Sequence, residues 1–352
     1  MYYLLAVLIF GILIAVHELG HFTAAKACGI PVLEFSIGMG PTILKKQGKE
    51  TLYSLRLFPI GGFCAMEGED SESDDPRAFT NQPPIKRFIV LASGAGMNFL
   101  FGFVLILFLI WNVYGYSAPL VSGFMDGCPY EGESGFMSGD FIYKIDGERT
   151  YFTDNVSFLL VRSKTGVYDI VLKRGNEKIY LDNYKMERRE YTVDGRTGKW
   201  YGLHFSTEPQ YPHPLKAWYC AMDYVRLVRL SLVDLITGVF GIKDLSGPVG
   251  IVDIVNETGT NAPNAAAAAW SIANLTAFIT INLAVMNLLP IPALDGARIF
   301  FLAVTWVLER LLRRKIDPKY EGYIHATGLV LLLALSVFVM YNDILRLIGN
   351  AH

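Results

Sequence analysis

The sequence predicts a multi-span α-helical membrane protein with four transmembrane helices, an inserted extracytoplasmic α+β domain and a membrane-associated β-hairpin element. Three observations predict it. Of the 352 residues 52% are hydrophobic and only 18% charged, and the mean hydropathy is +0.33, which suits a chain solvated in part by lipid. Four apolar stretches are long enough to cross about 30 Å of hydrocarbon at ~1.5 Å per helical residue. Between the second and third of them, Gly, Asp, Lys and Arg become common and the apolar runs shorten to strand length. The net charge of −2 offers no basic footprint for nucleic acid. Cys28, Cys64, Cys128 and Cys220 form no C-x-x-C pair, so neither a sulfur-ligated zinc site nor a disulfide framework is expected.

Residues 1–27 are the first predicted span. MYYLLAVLIFGILIAV carries no charged side chain, no basic start and no small-residue cleavage site, which argues against a signal peptide. The span continues into His17-Glu18-Leu19-Gly20-His21. Helical spacing puts His17 and His21 one turn apart on one face, where both imidazoles can reach one metal ion. A carboxylate at Glu18 can take a proton from water beside that ion, the general-base role of H-E-x-x-H metalloproteases. Unpaired His and Glu are costly in an apolar run, so a merely decorative helix end is a poor account of them. His17 lies about 24 Å from the N-terminus, deep toward the far leaflet.

Residues 28–85 read as a cytoplasmic loop with a membrane-entering β element. Glycines punctuate short alternating runs such as TLYSLRLF (51–58), which favours small hairpins over helices. The stretch FPIGGF (58–63) is too short to span; it either dips into the membrane beside the metal or forms a surface hairpin. EGEDSESDD (67–75) reads as a solvated loop. Residues 86–116 are the second span, where Gly94, Gly96 and Asn98 allow close helix contact and an amide hydrogen bond within the bundle. Trp111, Tyr114 and Tyr116 form an interfacial belt.

Residues 117–205 read as the soluble α+β domain, with a hairpin turn at Arg174-Gly175-Asn176. The stretch around 121–147 resembles a PDZ domain from its peptide-binding strand to its Gly-Asp turn; such domains bind extended peptides by adding a strand to a sheet edge. Residues 206–263 open with Pro209, Pro212 and Pro214. Asp223, Arg226, Arg229 and Asp234 then recur among apolar residues, predicting an amphipathic helix lying on the membrane surface. Leu245–Ile251 is a Gly/Pro break. Residues 264–296 are the third span, interrupted at Pro290 and Pro292. Asp295 follows the break, either as a functional carboxylate or as an ordinary loop residue. Residues 297–321 (Arg298, Arg310, Arg313, Arg314, Lys315, Lys319) read as a basic cytoplasmic loop, and 322–348 as the fourth span.

The positive-inside rule puts both basic loops in the cytoplasm. Spans one and three then both run inward, and His17, His21 and Asp295 arrive at one depth near the cytoplasmic leaflet. That agreement makes Asp295 the expected third ligand. The extended H-E-x-x-H-x-x-G-x-x-H layout fails, because Ala24 and Ala27 stand where it needs Gly and His. Two His, one Asp and a water complete a tetrahedral catalytic zinc site. Iron is the chemical alternative, and the adjacent glutamate favours zinc hydrolysis.

HELGH (17–21), GAGMNF (94–99), the PDZ-like 121–147, LSGPVGI (245–251), NLLPIPALDG (287–296) and YND (341–343) together resemble the bacterial site-2 protease family. These are zinc intramembrane metalloproteases; the type resembled here has a single PDZ domain and regulates sigma-factor signalling. The resemblance covers nearly the whole chain. It departs at Ala95, where the family usually has Pro, and at Ala297-Arg298, where Gly-His or Gly-Arg is common. It implies that His17, His21 and Asp295 bind one zinc ion and that Glu18 is the catalytic base. It also implies that Asn287 holds the unwound substrate backbone, since an amide can pair with peptide groups exposed when a helix opens in lipid; a helix-packing amide is the alternative. Implied substrates are single-span membrane proteins, such as anti-sigma factors already cut outside, and remnant signal peptides. The implied location is the bacterial inner membrane, with the PDZ domain outside. From the residues alone, a peptidase for soluble peptides, an inactive scaffold and a transporter remain as rivals. Glu18 argues against the scaffold, and the lack of repeated halves against the transporter.

Overall fold

The structure, a computed structural model, describes residues 2–69, 73–112, 118–193, 196–206, 214–239, 241, 245–312 and 319–349. In chain order its elements begin with α1 Tyr2–Cys28, β1 Val32–Gln47, β2 Leu52–Met66 and α2 Pro84–Asn112. There follow β3 Val121–Phe124, β4 Phe141–Ile145, β5 Glu148–Arg149, α3 Thr153–Arg162, β6 Val167–Arg174 and β7 Glu177–Lys185. Then come β8 Arg189–Val193, β9 Arg196–Trp200, β10 Leu203–Phe205, α4 Pro214–Ile236 and α5 Pro248–Thr260. The chain ends in α6 Ala265–Asn287, α7 Asp295–Leu312 and α8 Lys319–Gly349. It divides into two compact units, one of residues 1–109 with 241–352 and one of residues 110–240.

In the first unit, α1, α2, α6 and α8 are long and apolar enough to cross a membrane. β1 and β2 form one bent element. Residues 34–37 pair on one side with 62–65 and on the other with 52–55, which pair onward with 44–47. The bends fall where Gly38 and Gly61 take φ of +85° and +93°, a region that side-chain-bearing residues avoid. Ile37, Met39, Ile43, Leu44, Leu57 and Phe58 stay exposed on this element. A buried cluster of Ala25, Val32, Cys64, Val90, Leu91 and Leu302 joins α1, β1, β2, α2 and α7. A second, of Ala6, Val255 and Ile272, joins α1, α5 and α6.

Two sequence expectations are corrected here. The stretch 297–321 is not a loop throughout, because α7 runs to Leu312. Its apolar run is too short and too closely flanked by Arg to read as a span, yet Leu302 is buried while Arg298 pairs with Glu69. The Gly/Pro stretch before residue 251 opens a helix, α5, with Pro248 in its first turn, where the missing N–H costs nothing. Tyr114, Tyr116, Pro209, Pro212, Arg313, Arg314, Lys315 and residues 70–72 of the acidic run lie outside the described residues.

The second unit is α+β. An antiparallel sheet runs in the order β5-β4-β6-β7, beside a β10-β3 pair and a β8-β9 hairpin. Phe136, Ile142, Leu159, Tyr168, Ile170 and Leu172 form its core with Leu230 of α4. Of the four charges that predict a surface helix, the two aspartates turn inward, while Arg229 stays exposed. Asp223 and Asp234 are buried. Asn155 Nδ2 donates to Asp223 Oδ2 at 2.6 Å, and Arg162 donates to both oxygens of Asp234 at 2.6 Å. Burial pushes the Asp223 carboxyl above its usual range, against the opposing pull of Arg226 and Asn155. Leu215, Trp218, Tyr219, Val233 and Ile236 form the exposed side of α4.

Candidate metal centre

α1 is a continuous helix through His17 and His21, so the two rings meet on one face, 4.7 Å apart between centroids. Their Nε2 atoms are 3.1 Å apart. Asp295 Oδ2 lies 3.0 Å from His17 Nε2 and 3.3 Å from His21 Nε2. Asp295 gets there because α6 stops at Asn287 and the chain turns through Pro290 and Pro292, with Ala293 at φ +74°, before α7 begins at Asp295 itself. Gly296 fits against the Leu288 and Leu289 carbonyls, where a Cβ would collide. In α8, Gly328 leaves similar room for Pro292.

The donor set fits a metal ion. Asp295 Oδ2 is buried and has no hydrogen-bond partner among the described residues. Two ring nitrogens and one carboxylate oxygen therefore converge with lone pairs to spare. Ligands held about 2.1 Å from a tetrahedral ion stand roughly 3.4 Å apart, close to the separations here. His21 Nδ1 lies 2.8 Å from the Val90 carbonyl oxygen. A carbonyl only accepts, so the proton of that ring sits on Nδ1 and Nε2 keeps its lone pair for the ion.

Glu18 is half-buried beside the cluster, near Gly62 of β2, and makes no hydrogen bond or ion pair among the described residues. Asn287 Nδ2 lies 3.4 Å from His17 Nδ1. All five residues singled out from sequence are thus in one place. Sequence reasoning assigned Gly94 and Asn98 to helix packing only, and the structure puts both against the histidines. A Cβ on Gly94 would stand 2.8 Å from His17 Nε2 and collide with His21 Nε2. Gly20 fits against the Ser93 carbonyl, so two glycines bring α1 and α2 together at the site. Asn98 Nδ2 lies 3.4 Å from His17 Nδ1. The signal that pointed to them was the Gly-x-x-x-Asn spacing, which puts both on one face of α2.

A family model described as peptidase family M50 matches residues 5–335. The chain belongs to peptidase family M50. Among its relatives, a Clostridium perfringens protein whose name contains the words zinc metalloprotease is 34% identical over 98% of this chain and 99% of its own length. A similarly named Fusobacterium nucleatum protein is 34% identical over 99% of both chains. The regulator of sigma-W protease RasP of Bacillus subtilis is 27% identical over 97% of both.

Proposed function

We propose that this M50 peptidase is a zinc-dependent intramembrane endopeptidase that hydrolyses peptide bonds within the transmembrane helices of single-span proteins, in regulated proteolysis. The observation that carries the reading is the convergence of His17 Nε2, His21 Nε2 and Asp295 Oδ2, within 3.0–3.3 Å of one another, among helices apolar enough to sit in lipid. These three residues hold the ion. When bound, zinc supplies Lewis-acid polarisation of the scissile carbonyl and makes the attacking water more acidic. Glu18, with no hydrogen-bond or ion-pair partner among the described residues, takes a proton from the attacking water and returns it to the leaving amine. Asn287, at the broken end of α6, pairs with the peptide groups of an unwound substrate helix, since nothing else in lipid can satisfy them.

The membrane reading assigns four spans to α1, α2, α6 and α8, with the metal near the cytoplasmic leaflet of the inner membrane and the 117–205 domain outside. That domain acts as a PDZ domain that admits substrates by their outer parts. The exposed apolar side of α4 lies on the bilayer surface, and the exposed apolar residues of the bent β element enter the bilayer beside the metal. Anti-sigma factors and remnant signal peptides are the substrate classes that fit a single-span requirement. The name of the sigma-W protease relative supports the first.

The test is cleavage of a tagged single-span helix by the detergent-solubilised protein, run beside Glu18→Gln, with the cut mapped. A cut inside the span that Glu18→Gln abolishes is expected. Equal cutting by both proteins would refute the role of Glu18, and a cut only outside the span would refute the intramembrane assignment.

A further inference from the structure

We infer that Asn98 is a positioning residue for His17: its side-chain amide accepts the Nδ1 proton of that ring and so presents Nε2 unprotonated to the metal. The inference rests on the proposed zinc site and deepens it. A histidine that binds a metal through Nε2 carries its proton on Nδ1 and needs an acceptor there. His21 has one in the Val90 carbonyl, 2.8 Å away. Among the described residues, His17 has no such carbonyl hydrogen-bonded at its Nδ1. Two amides face it instead, those of Asn98 and Asn287, each with its Nδ2 at 3.4 Å, so either must turn its oxygen to the ring to accept that proton. One proton needs one acceptor, and the two amides are not equivalent.

Asn98 is only 1% exposed, and its Oδ1 has no hydrogen-bond partner among the described residues. Leaving a buried carbonyl-type oxygen unpaired costs about 1–3 kcal/mol. Rotation about the soft terminal torsion of asparagine brings that oxygen to Nδ1–H and gives the ring its acceptor. The residue is also held in place. Thr280 of α6, fully buried, donates from Oγ1 to the Asn98 backbone carbonyl at 3.2 Å. One turn earlier, Gly94 lets α2 come close enough for the amide to reach the ring. Asn287 is half-buried at the end of a broken helix. It is the amide left available to a substrate once Asn98 serves His17.

The test is the zinc affinity of the full-length, detergent-solubilised protein, by competition with a chromogenic chelator, beside thermal melting in excess chelator. Asn98→Ala is expected to bind zinc about 10–100-fold more weakly, with its metal-free melting little changed. Asn98→Asp is expected to stay within about threefold of wild type, because a carboxylate oxygen accepts the same proton. Wild-type affinity in Asn98→Ala, or an Asn98→Asp that is folded and as weak as Asn98→Ala, would overturn the inference. Should Asn98→Ala fail to fold, Asn98→Asp alone decides: wild-type affinity supports the role and weak affinity overturns it. His17→Ala separates this from the site itself. If it binds zinc as wild type does, the proposed centre is wrong and the inference goes with it.

Discussion

Adding a single methyl group at Gly94 is predicted to disable the metal centre while leaving the fold intact. In Gly94→Ala the new Cβ would stand 2.8 Å from His17 Nε2 and nearer still to His21 Nε2. The nearest His17 atom, Cε1, would stand 2.6 Å away; ordinary contact begins at about 3.5 Å, so the His17 ring must retreat by about 0.9 Å. The His21 ring, tied through Nδ1 to the Val90 carbonyl, has less freedom to follow. Displacements of this size in a preorganised site cost about 100-fold, which for zinc affinity is about 2.7 kcal/mol. Helix propensity pushes the other way, since Gly to Ala in a helix interior gains about 1 kcal/mol. The two effects separate cleanly. Metal-free melting should hold or rise while zinc affinity falls at least 100-fold, measured by chelator competition. Gly96→Ala is the control, since its Cβ would meet nothing within 4 Å, and it should bind zinc as wild type does. A Gly94→Ala protein within threefold of wild-type zinc affinity would refute the close-packing argument.

Three further outcomes are expected. Glu18→Gln should keep its zinc, by the same titration, while cleavage falls about 10²–10⁴-fold, the usual share of a general base. Arg162→Ala should destabilise the 110–240 unit by about 3–5 kcal/mol in denaturant melts, because it strands the buried Asp234 carboxylate; Arg162→Met with Asp234→Leu should recover most of that loss. Asp343 of α8 accepts from the Gly247 and Gly250 N–H groups at the start of α5, so Asp343→Ala should lower the melting temperature through the loss of about 1–2 kcal/mol of helix capping. Asp343→Asn, which keeps one acceptor oxygen, should fall between the two.

The proposed ligand set is legible because each half of it is local. His17 and His21 are set by one turn of helix, and Asp295 by a proline break at the end of an apolar run. Depth argued from basic loops then put the halves together, and the structure brings their donor atoms within 3.0–3.3 Å. What stayed hidden is contact between segments far apart in sequence. Gly94 and Asn98 signalled close helix packing, but nothing local says that the neighbour across the gap is a histidine. The charges of α4 predict an amphipathic surface helix, yet two of them, Asp223 and Asp234, face Asn155 and Arg162. Helical spacing fixes which residues share a face, not what the face meets. α7 was missed because its apolar run is too short to read as a span and its flanking arginines resemble a loop.

Two carboxylates in or beside the apolar helices show how a shared chemistry divides into different roles. Asp295 and Asp343 both interrupt hydrophobic sequence, and an ionisable residue in such a place is by default a functional candidate. Asp343 has a complete account without a ligand. Its Oδ2 accepts from the backbone N–H groups of Gly247 and Gly250, each at 2.9 Å, at the start of α5. Those N–H groups have no partner within the helix and would be costly to bury bare, and the helix N-terminus favours the negative charge. A Cβ on Gly250 would lie 3.0–3.2 Å from the carboxylate, so the glycines of LSGPVGI make room for the aspartate of YND. Asp295 also begins a helix, but its buried Oδ2 receives no hydrogen bond among the described residues and points at two ring nitrogens. The carboxylate whose hydrogen bonds are satisfied is a cap, and the one left without a proton donor among the described residues could take a cation instead.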